Sequence, residues 1–481
     1  MNKKTILGFL GNICILEAIL MLFPLLVGFI YKESFLTINA FLITIAILLV
    51  LGLLLRKLTP KHPKYNLKEG FAITGLSWFL LSFFGGLPFV LANELNSIID
   101  STFEMASGFT TTGSSIIPNV EAISQSLLFW RSFSHLIGGM GVLVFAFAFI
   151  PRMGEGSVNI MKAEVPGPTF GKVTSKNQSS AGILYQIYLV MNAVLVLLLM
   201  LTGMNLFDSL IHAFGAAGTG GFSNKILSVG YFNNPAAEYI LSIAMILFGV
   251  NFNLYYLLLK KHFKQVFKNE ELRLFLTIIT IACILIMLNI GKDYSSLEKL
   301  FRDVLFTVST IISTTGYATV DFGLWPLFSH LVLLLIMFTG SMAGSTAGGL
   351  KQSRVLIYLK SFKREIQCAM NPRLVKPITV DDKPVSSSYI KSVLNYLGLY
   401  LSIFICGVLL VSVTQNDFLT AFSSVAATLN NIGPGMNLVG PSGNFAHFTP
   451  ISKIVLTFMM IIGRLEIYPV LILLMPNLWK K

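Results

Sequence analysis

Charge is what this sequence has least of. Only 12% of its 481 residues are Asp, Glu, Lys or Arg and 54% are hydrophobic, where a soluble chain carries roughly 25% charged residues. So little charge cannot cover a water-facing surface, which excludes an ordinary soluble domain and leaves lipid as the solvent for most of the chain. Cysteine is scarce as well. Cys14, Cys283, Cys368 and Cys406 stand far apart with no paired or metal-ligand spacing, so neither a disulfide framework nor a zinc site is indicated. The six histidines form no His-x-x-x-His pair, and no nucleophile elbow or phosphate loop occurs, which argues against an enzyme.

What is abundant is long apolar runs. Ile6 to Tyr31 and Phe35 to Leu55 are the first two, each long enough to cross the hydrocarbon core as a helix. The opening Met-Asn-Lys-Lys and its apolar run resemble a signal peptide, but the run is too long and lacks a small-x-small site, so we read it as a retained helix. The net charge of +13 is spread in a pattern. Of 35 Lys and Arg, 26 lie in segments 1–4, 56–68, 152–176, 260–273, 351–383 and 480–481, against six in the intervening loops. Even numbers of predicted crossings separate these basic segments, so all can lie on one side, the cytoplasmic one, with both termini. That placement favours membrane topology over nucleic-acid binding as the source of the basic balance.

Four segments repeat a glycine at the end of a short amphipathic stretch: Thr111-Thr112-Gly113-Ser114, Thr219-Gly220-Gly221-Phe222, Thr314-Thr315-Gly316-Tyr317 and Asn431-Ile432-Gly433-Pro434. The aligned glycines are 108, 95 and 117 residues apart, and each run lies between two long apolar helices. Thirteen residues before them stand Asp100, Asp208, Asp303 and Thr420, all suitable N-caps, which predicts half-helices of about nine residues starting there. Twenty-eight residues after the first three stand Gly141, Gly249 and Gly344, and thirty after the fourth stands Gly463. Glycine there can serve close helix packing, a reading as good as a helix break in the first two repeats. In the third, Gly340 to Gly349 holds four glycines in ten residues, and a regular helix should not persist.

The fold class expected is an all-α polytopic membrane protein with four helix–pore-loop–helix repeats in pseudo-fourfold arrangement behind two N-terminal transmembrane helices. The expected units are 1–68 for the leading pair, then repeats at 69–152, 177–262, 271–365 and 386–481, giving ten full crossings and four re-entrant segments. Non-helical backbone at membrane depth must be buried in protein or line water. Four glycine turns there imply a shared path whose carbonyls can replace a cation's hydration shell. Thr111, Thr219, Thr314 and Asn431, each two residues before its glycine, offer side-chain oxygens for a lower site. The half-helices aim their negative C-terminal ends at the same place.

The residues Ala106-Ser107-Gly108-Phe109-Thr110-Thr111-Thr112-Gly113, Phe129-Trp130-Arg131-Ser132-Phe133, Gly138-Gly139-Met140-Gly141, Asn430-Asn431-Ile432-Gly433-Pro434-Gly435 and Gly463-Arg464-Leu465-Glu466 resemble the TrkH branch of the Trk/Ktr/HKT potassium-transport superfamily. The resemblance spans essentially the whole chain, including the leading pair that Ktr subunits lack. It implies a homodimer with one pore per subunit in a bacterial inner membrane, working with a cytosolic TrkA-type nucleotide-binding subunit. It implies a potassium filter at Thr111, Thr112, Gly113, Thr219, Gly220, Gly221, Thr314, Thr315, Gly316, Asn431, Ile432 and Gly433. Gly340, Gly344, Ser345, Thr346, Gly348 and Gly349 match the family's intramembrane gate loop, and Arg464 its pore arginine. Potassium is then the permeant ion, with rubidium, and no organic cofactor or nucleic acid is expected. All four filter centres are glycine, where some plant relatives with serine at the first relax towards sodium. Arg464 lies in an apolar helix, where a charge is usually functional. Arg131 is read as structural, and Glu104 either adds negative field or pairs with it. The competing readings are a sodium- or proton-coupled secondary transporter, which predicts inverted repeats and acidic midplane ligands, and an intramembrane enzyme, for which no catalytic pair is visible.

Overall fold

A computed structural model describes residues 2–60, 66–141, 177–374 and 376–476. The basic segment 152–176 and the end of the first repeat unit lie outside these. Among the described residues six helices are long and apolar enough to cross a membrane, or seven if one bent pair counts as a span.

Two helical spans lead. Lys3–Leu20 and Leu22–Ile30 form one apolar stretch of 28 residues, and Phe35–Arg56 returns beside it. The pair meets backbone to backbone: a Cβ on Gly11 would stand 2.7 Å from the Gly52 carbonyl oxygen. This close approach is what small residues allow between membrane helices.

Four units follow, each a long helix, a half-helix and a second helix. The long helices are Leu67–Leu91, Asn177–Leu201, Glu270–Ile290 and Ser387–Ser412. The half-helices, here called pore helices one to four, are Ile98–Phe109, Leu206–Gly218, Leu297–Ile312 and Phe418–Leu429. They run 12 to 16 residues, longer than the nine expected. The expected caps are wrong by one turn in units one, two and four and by about two in unit three. Ser97, Asn205 and Asp417 cap helices one, two and four, and their side chains accept from the amides of Asp100, Asp208 and Thr420. Those three residues therefore sit in the first turn. An acid there is also favoured by the helix field, so Asp100 and Asp208 carry a start signal displaced by three residues. In the third unit Ser296 is the cap and Asp303 lies in the second turn of the helix.

The second helices are broken, not continuous spans. They are short, Gln125–Gly139, Pro235–Phe248, Leu327–Thr339 and Pro450–Arg464, and the chain leaves α-helix at the end of each. It resumes at Phe252–Leu259 after a bend of 93° in the second unit, at Gln352–Met370 in the third and at Tyr468–Leu474 in the fourth. The glycines at similar depth thus mark helix breaks in all four units, not only in the third. Gly141 and Gly344 adopt positive φ beyond these helix ends. The only strands among the described residues are Thr379–Val380 and Lys383–Pro384, a small antiparallel ladder after the Gln352–Met370 helix.

Candidate ion path

Each pore helix ends in the same way. The amide of Thr111 donates to Gly108 O and that of Thr112 to Ser107 O; the equivalent bonds run from Thr219 to Ala216 and Gly220 to Gly215, from Thr314 to Ile311 and Thr315 to Thr310, and from Asn431 to Thr428 and Ile432 to Ala427. These are four Schellman ends in one register. The residue that turns left-handed is Thr111 (φ 54°), Thr219 (57°), Thr314 (57°) or Asn431 (55°). A β-branched threonine is an outlier there, and three at equivalent places are the kind of strain found at functional sites. Two residues on, Gly113, Gly221, Gly316 and Gly433 take φ of 82°, 74°, 87° and 101°. The positive φ expected only at the glycines is thus needed twice per turn.

The four turns close on one another. A Cβ on Gly113 would lie 1.9 Å from Gly220 O, on Gly221 2.0 Å from Thr315 O, on Gly316 2.0 Å from Ile432 O, and on Gly433 2.9 Å from Thr112 O. Each glycine therefore faces the carbonyl that precedes the next glycine, in the order one, two, three, four, one. Cross-bonds tie turn one to turn four: Ser114 Oγ donates to Gly433 O at 3.0 Å, and Asn431 Nδ2 to Thr112 Oγ1 at 2.9 Å. A mouth of about 120 Å³ opens above, with all four glycines in its wall. Among the described residues no Asp or Glu lines it.

The side-chain oxygens two before the glycines are not equivalent. Thr111 Oγ1 and Asn431 Oδ1 are buried with no hydrogen-bond partner among the described residues. Thr219 Oγ1 donates to Gly218 O at 2.6 Å, and Thr314 Oγ1 accepts from the Gly348 amide at 2.8 Å. A hydroxyl that donates keeps both lone pairs and one that accepts a single bond keeps one, so Thr219 and Thr314 still present an oxygen that a cation can use.

The Gly348 contact brings Gly340 to Gly349 directly beneath the turns. A Cβ on Gly348 would stand 2.3 Å from Asn430 O and 3.0 Å from Asn431 Cβ. Gly340, Gly344 and Gly349 have φ of 63°, 76° and 78°. Thr346 Oγ1 donates to Phe248 O at 3.2 Å, Ser345 Oγ to Met342 O at 2.7 Å, and Glu271 Oε1 accepts from the Ala343 amide at 2.7 Å. Arg464 reaches the same level. Its Nη1 donates to Thr346 O at 2.6 Å and its Nη2 to Gly138 O and Gly139 O, both at 2.5 Å. One guanidinium thus joins the loop of unit three to the broken helix end of unit one. Glu466 does not pair with it; Glu466 binds Arg354, which also lies over the Tyr396 ring at 4.0 Å.

Arg131 and Glu104 pair at 2.7 Å, both buried. Glu104 Oε2 also accepts from the Ile116 amide at 2.8 Å, and the guanidinium lies 4.1 Å over the Phe222 ring. The pair braces the extended segment leaving turn one.

His135 is a brace the sequence did not mark. Its Nδ1 is 2.7 Å from Gly108 O, which can only accept, so Nδ1 carries the hydrogen. Its Nε2 accepts from the Phe222 amide at 3.3 Å. The ring is therefore neutral, in one tautomer, and links pore helix one to turn two.

Four half-helices whose turns close one ring inside a bundle of membrane-length helices define a pore-loop membrane protein. The family model described as TrkH, cation transport protein, matches residues 37–481, and the chain belongs to that family. It is 33% identical to the Trk system potassium uptake protein TrkH of Escherichia coli K12 over 488 residues, covering 100% of both chains. It is 34% identical to the Trk system potassium uptake protein TrkG of the same strain, covering 98% of this chain and 97% of that one. Its fold matches the crystal structure of the potassium transporter TrkH from Vibrio parahaemolyticus with a TM-score of 0.88, at 32% identity and full coverage of both chains.

Proposed function

We propose that this chain takes up potassium across the bacterial inner membrane through one channel-like pore, as part of a Trk system. The carrying observation is the ring of four turns, in which each glycine faces the carbonyl before the next. Thr112, Gly113, Gly220, Gly221, Thr315, Gly316, Ile432 and Gly433 supply backbone oxygens that replace the hydration shell of potassium or rubidium. Thr111, Thr219, Thr314 and Asn431 each add a side-chain oxygen below, the two middle ones through lone pairs that their own hydrogen bonds leave open. The units 69–152, 177–262, 271–365 and 386–481 act as pore-loop repeats, with 1–68 as the leading pair and both termini cytoplasmic.

In this reading the Gly340–Gly349 loop and Arg464 hold the path shut below the filter. A homodimer and a cytosolic TrkA-type nucleotide-binding subunit, acting through the segment from Lys351 onward, would move the loop aside. Radioactive rubidium flux in proteoliposomes, with and without a sodium gradient, tests the proposal. Flux that runs down the rubidium gradient alone supports it; flux that needs sodium turns it into a coupled transporter.

A further inference from the structure

Glu17 lies near the end of the leading helix Lys3–Leu20 and is fully buried. Among the described residues neither of its carboxyl oxygens has a hydrogen-bond partner. Its surroundings are apolar. Oε1 is 3.3 Å from where a Cβ on Gly85 would stand, and the same spot is bounded by the Phe109 ring at 2.9 Å and the Met105 methyl at 3.4 Å. Phe109 is the last residue of pore helix one, whose C-terminal end carries partial negative charge.

The charges on the packed elements lie elsewhere or are already matched. On its own helix Lys3 and Lys4 stand at the far start, and Cys14 is the titratable neighbour one turn before. The adjacent helix Phe35–Arg56 has only Arg56, exposed at its end. Helix Leu67–Leu91 has Lys68 and Glu69 in its first turn, and Glu69 accepts from the Asn2 amide. That is fifteen residues from Glu17, about 22 Å along a helix. Segment Leu22–Ile30 has none; Glu33 beyond it accepts from the Ser126 amide. On pore helix one, Asp100 pairs with Lys453 and Glu104 with Arg131.

An ionised carboxylate here would be buried with neither donor nor counter-ion, which costs more than taking up a proton. A metal ion is not an alternative ligand, since no group of three His, Cys, Asp or Glu among the described residues could hold one. We propose that Glu17 is an intramembrane proton-binding site: this conformation holds its carboxyl protonated, and losing the proton drives the leading helix off the Gly85–Phe109 face. The site is separate from the filter and gate, and its ligand is a proton alone.

The full chain in lipid tests this by infrared difference spectroscopy of wild type against Glu17→Gln. Wild type should show the carbonyl stretch of a protonated acid at neutral pH, and the variant should lack it. Thermal unfolding across pH gives an independent reading. An unfolded glutamate ionises near pH 4.3, on the order of its reference value, while folded Glu17 keeps its proton. The native state then binds one proton more, so raising the pH costs wild type about tenfold in folding constant per unit relative to Glu17→Gln, until folded Glu17 itself titrates. Glu17→Leu should lose the same band and the same slope. Loss of carboxylate stretches instead of the acid band, or parallel pH profiles, overturns the proposal. So does failure of both variants to fold, because a neutral buried acid should be replaceable by a neutral side chain.

Discussion

Substituting the ring glycines one at a time should give a graded loss of selectivity. At Gly316 an added Cβ would lie 2.0 Å from Ile432 O and 2.8 Å from Pro434 Cδ. Ordinary carbon–oxygen contacts begin near 3.3 Å, so the Ile432 carbonyl must retreat by roughly 1.3 Å. At φ of 87° a side chain adds strain of about 1–2 kcal/mol. A carbonyl set back that far no longer touches a bound ion, and the cage loosens. Gly316→Ser and Gly113→Ser should therefore lower the potassium-over-sodium preference about tenfold, equivalent to about 1.4 kcal/mol. Gly433→Ala should be milder, because its Cβ starts 2.9 Å from Thr112 O and needs a shift of only roughly 0.4 Å. Paired rubidium and sodium fluxes in proteoliposomes measure the ratio, with size-exclusion profiles as the check on folding. Unchanged ratios in folded Gly113 and Gly316 variants, or a larger effect at Gly433, would refute the ring as the selecting element.

Arg131→Met should destabilise the protein by about 3–5 kcal/mol, because it leaves Glu104 buried and unmatched; adding Glu104→Gln should recover part of that in thermal melts. His135→Phe removes the acceptor of the Phe222 amide, a loss of about 1–3 kcal/mol, and should widen selectivity in the same flux assay more than it lowers rubidium flux. In a cysteine-free background, Lys264→Cys should react with an impermeant thiol reagent only from the cytoplasm and Ser442→Cys only from outside, both sites being exposed. The opposite pattern would invert every helix.

The repeat was legible because a glycine at positive φ admits no substitute without strain, so the four turns keep their mark in the sequence. The starts of pore helices one and two were misplaced because an acid in the first turn and a cap answer to the same free amides, three residues apart. The left-handed threonines could not be read at all. Propensity argues against threonine there, and only the closed ring holds Thr111, Thr219 and Thr314 in place. Breaks in the second helices were half legible: ten residues around Gly344 announce one, while the Gly138-Gly139-Met140-Gly141 run and the single Gly249 also suit close packing. What left no periodic trace is long-range pairing: Arg354 and Glu466 are 112 residues apart and Glu271 and Ala343 72 apart, whereas the Arg131–Glu104 pair was one of the two readings the sequence offered.

If the Gly340–Gly349 loop is the gate proposed above, those pairings set how it can move. The loop is tied to the filter through Gly348 and Thr314, and to unit one through Arg464. On its other side Glu271 holds Ala343, and Asp381, in the turn of the small ladder, accepts from the Glu270 amide at 2.8 Å and from Asn269 Nδ2 at 2.8 Å. Lys360 binds Glu270 and also donates to Thr379 O at 2.6 Å. A pull on the ladder therefore reaches the loop by two routes, through Glu271 and through the helix that starts at Gln352. Arg464 resists that pull, since its three carbonyl contacts join the loop to a separate repeat. Hydrogen bonds to a charged group contribute about 1.5–3 kcal/mol. If the contact to Thr346 O breaks on opening while those to unit one stay, Arg464→Ala should raise the open population, and basal rubidium flux, by roughly tenfold to a hundredfold. The ion ratio should not change, because none of the three contacts is to a filter glycine. Shortening the loop between Gly344 and Gly348 should act in the same direction. Two folded variants that conduct no faster than wild type would place the constriction elsewhere and leave Arg464 a packing residue.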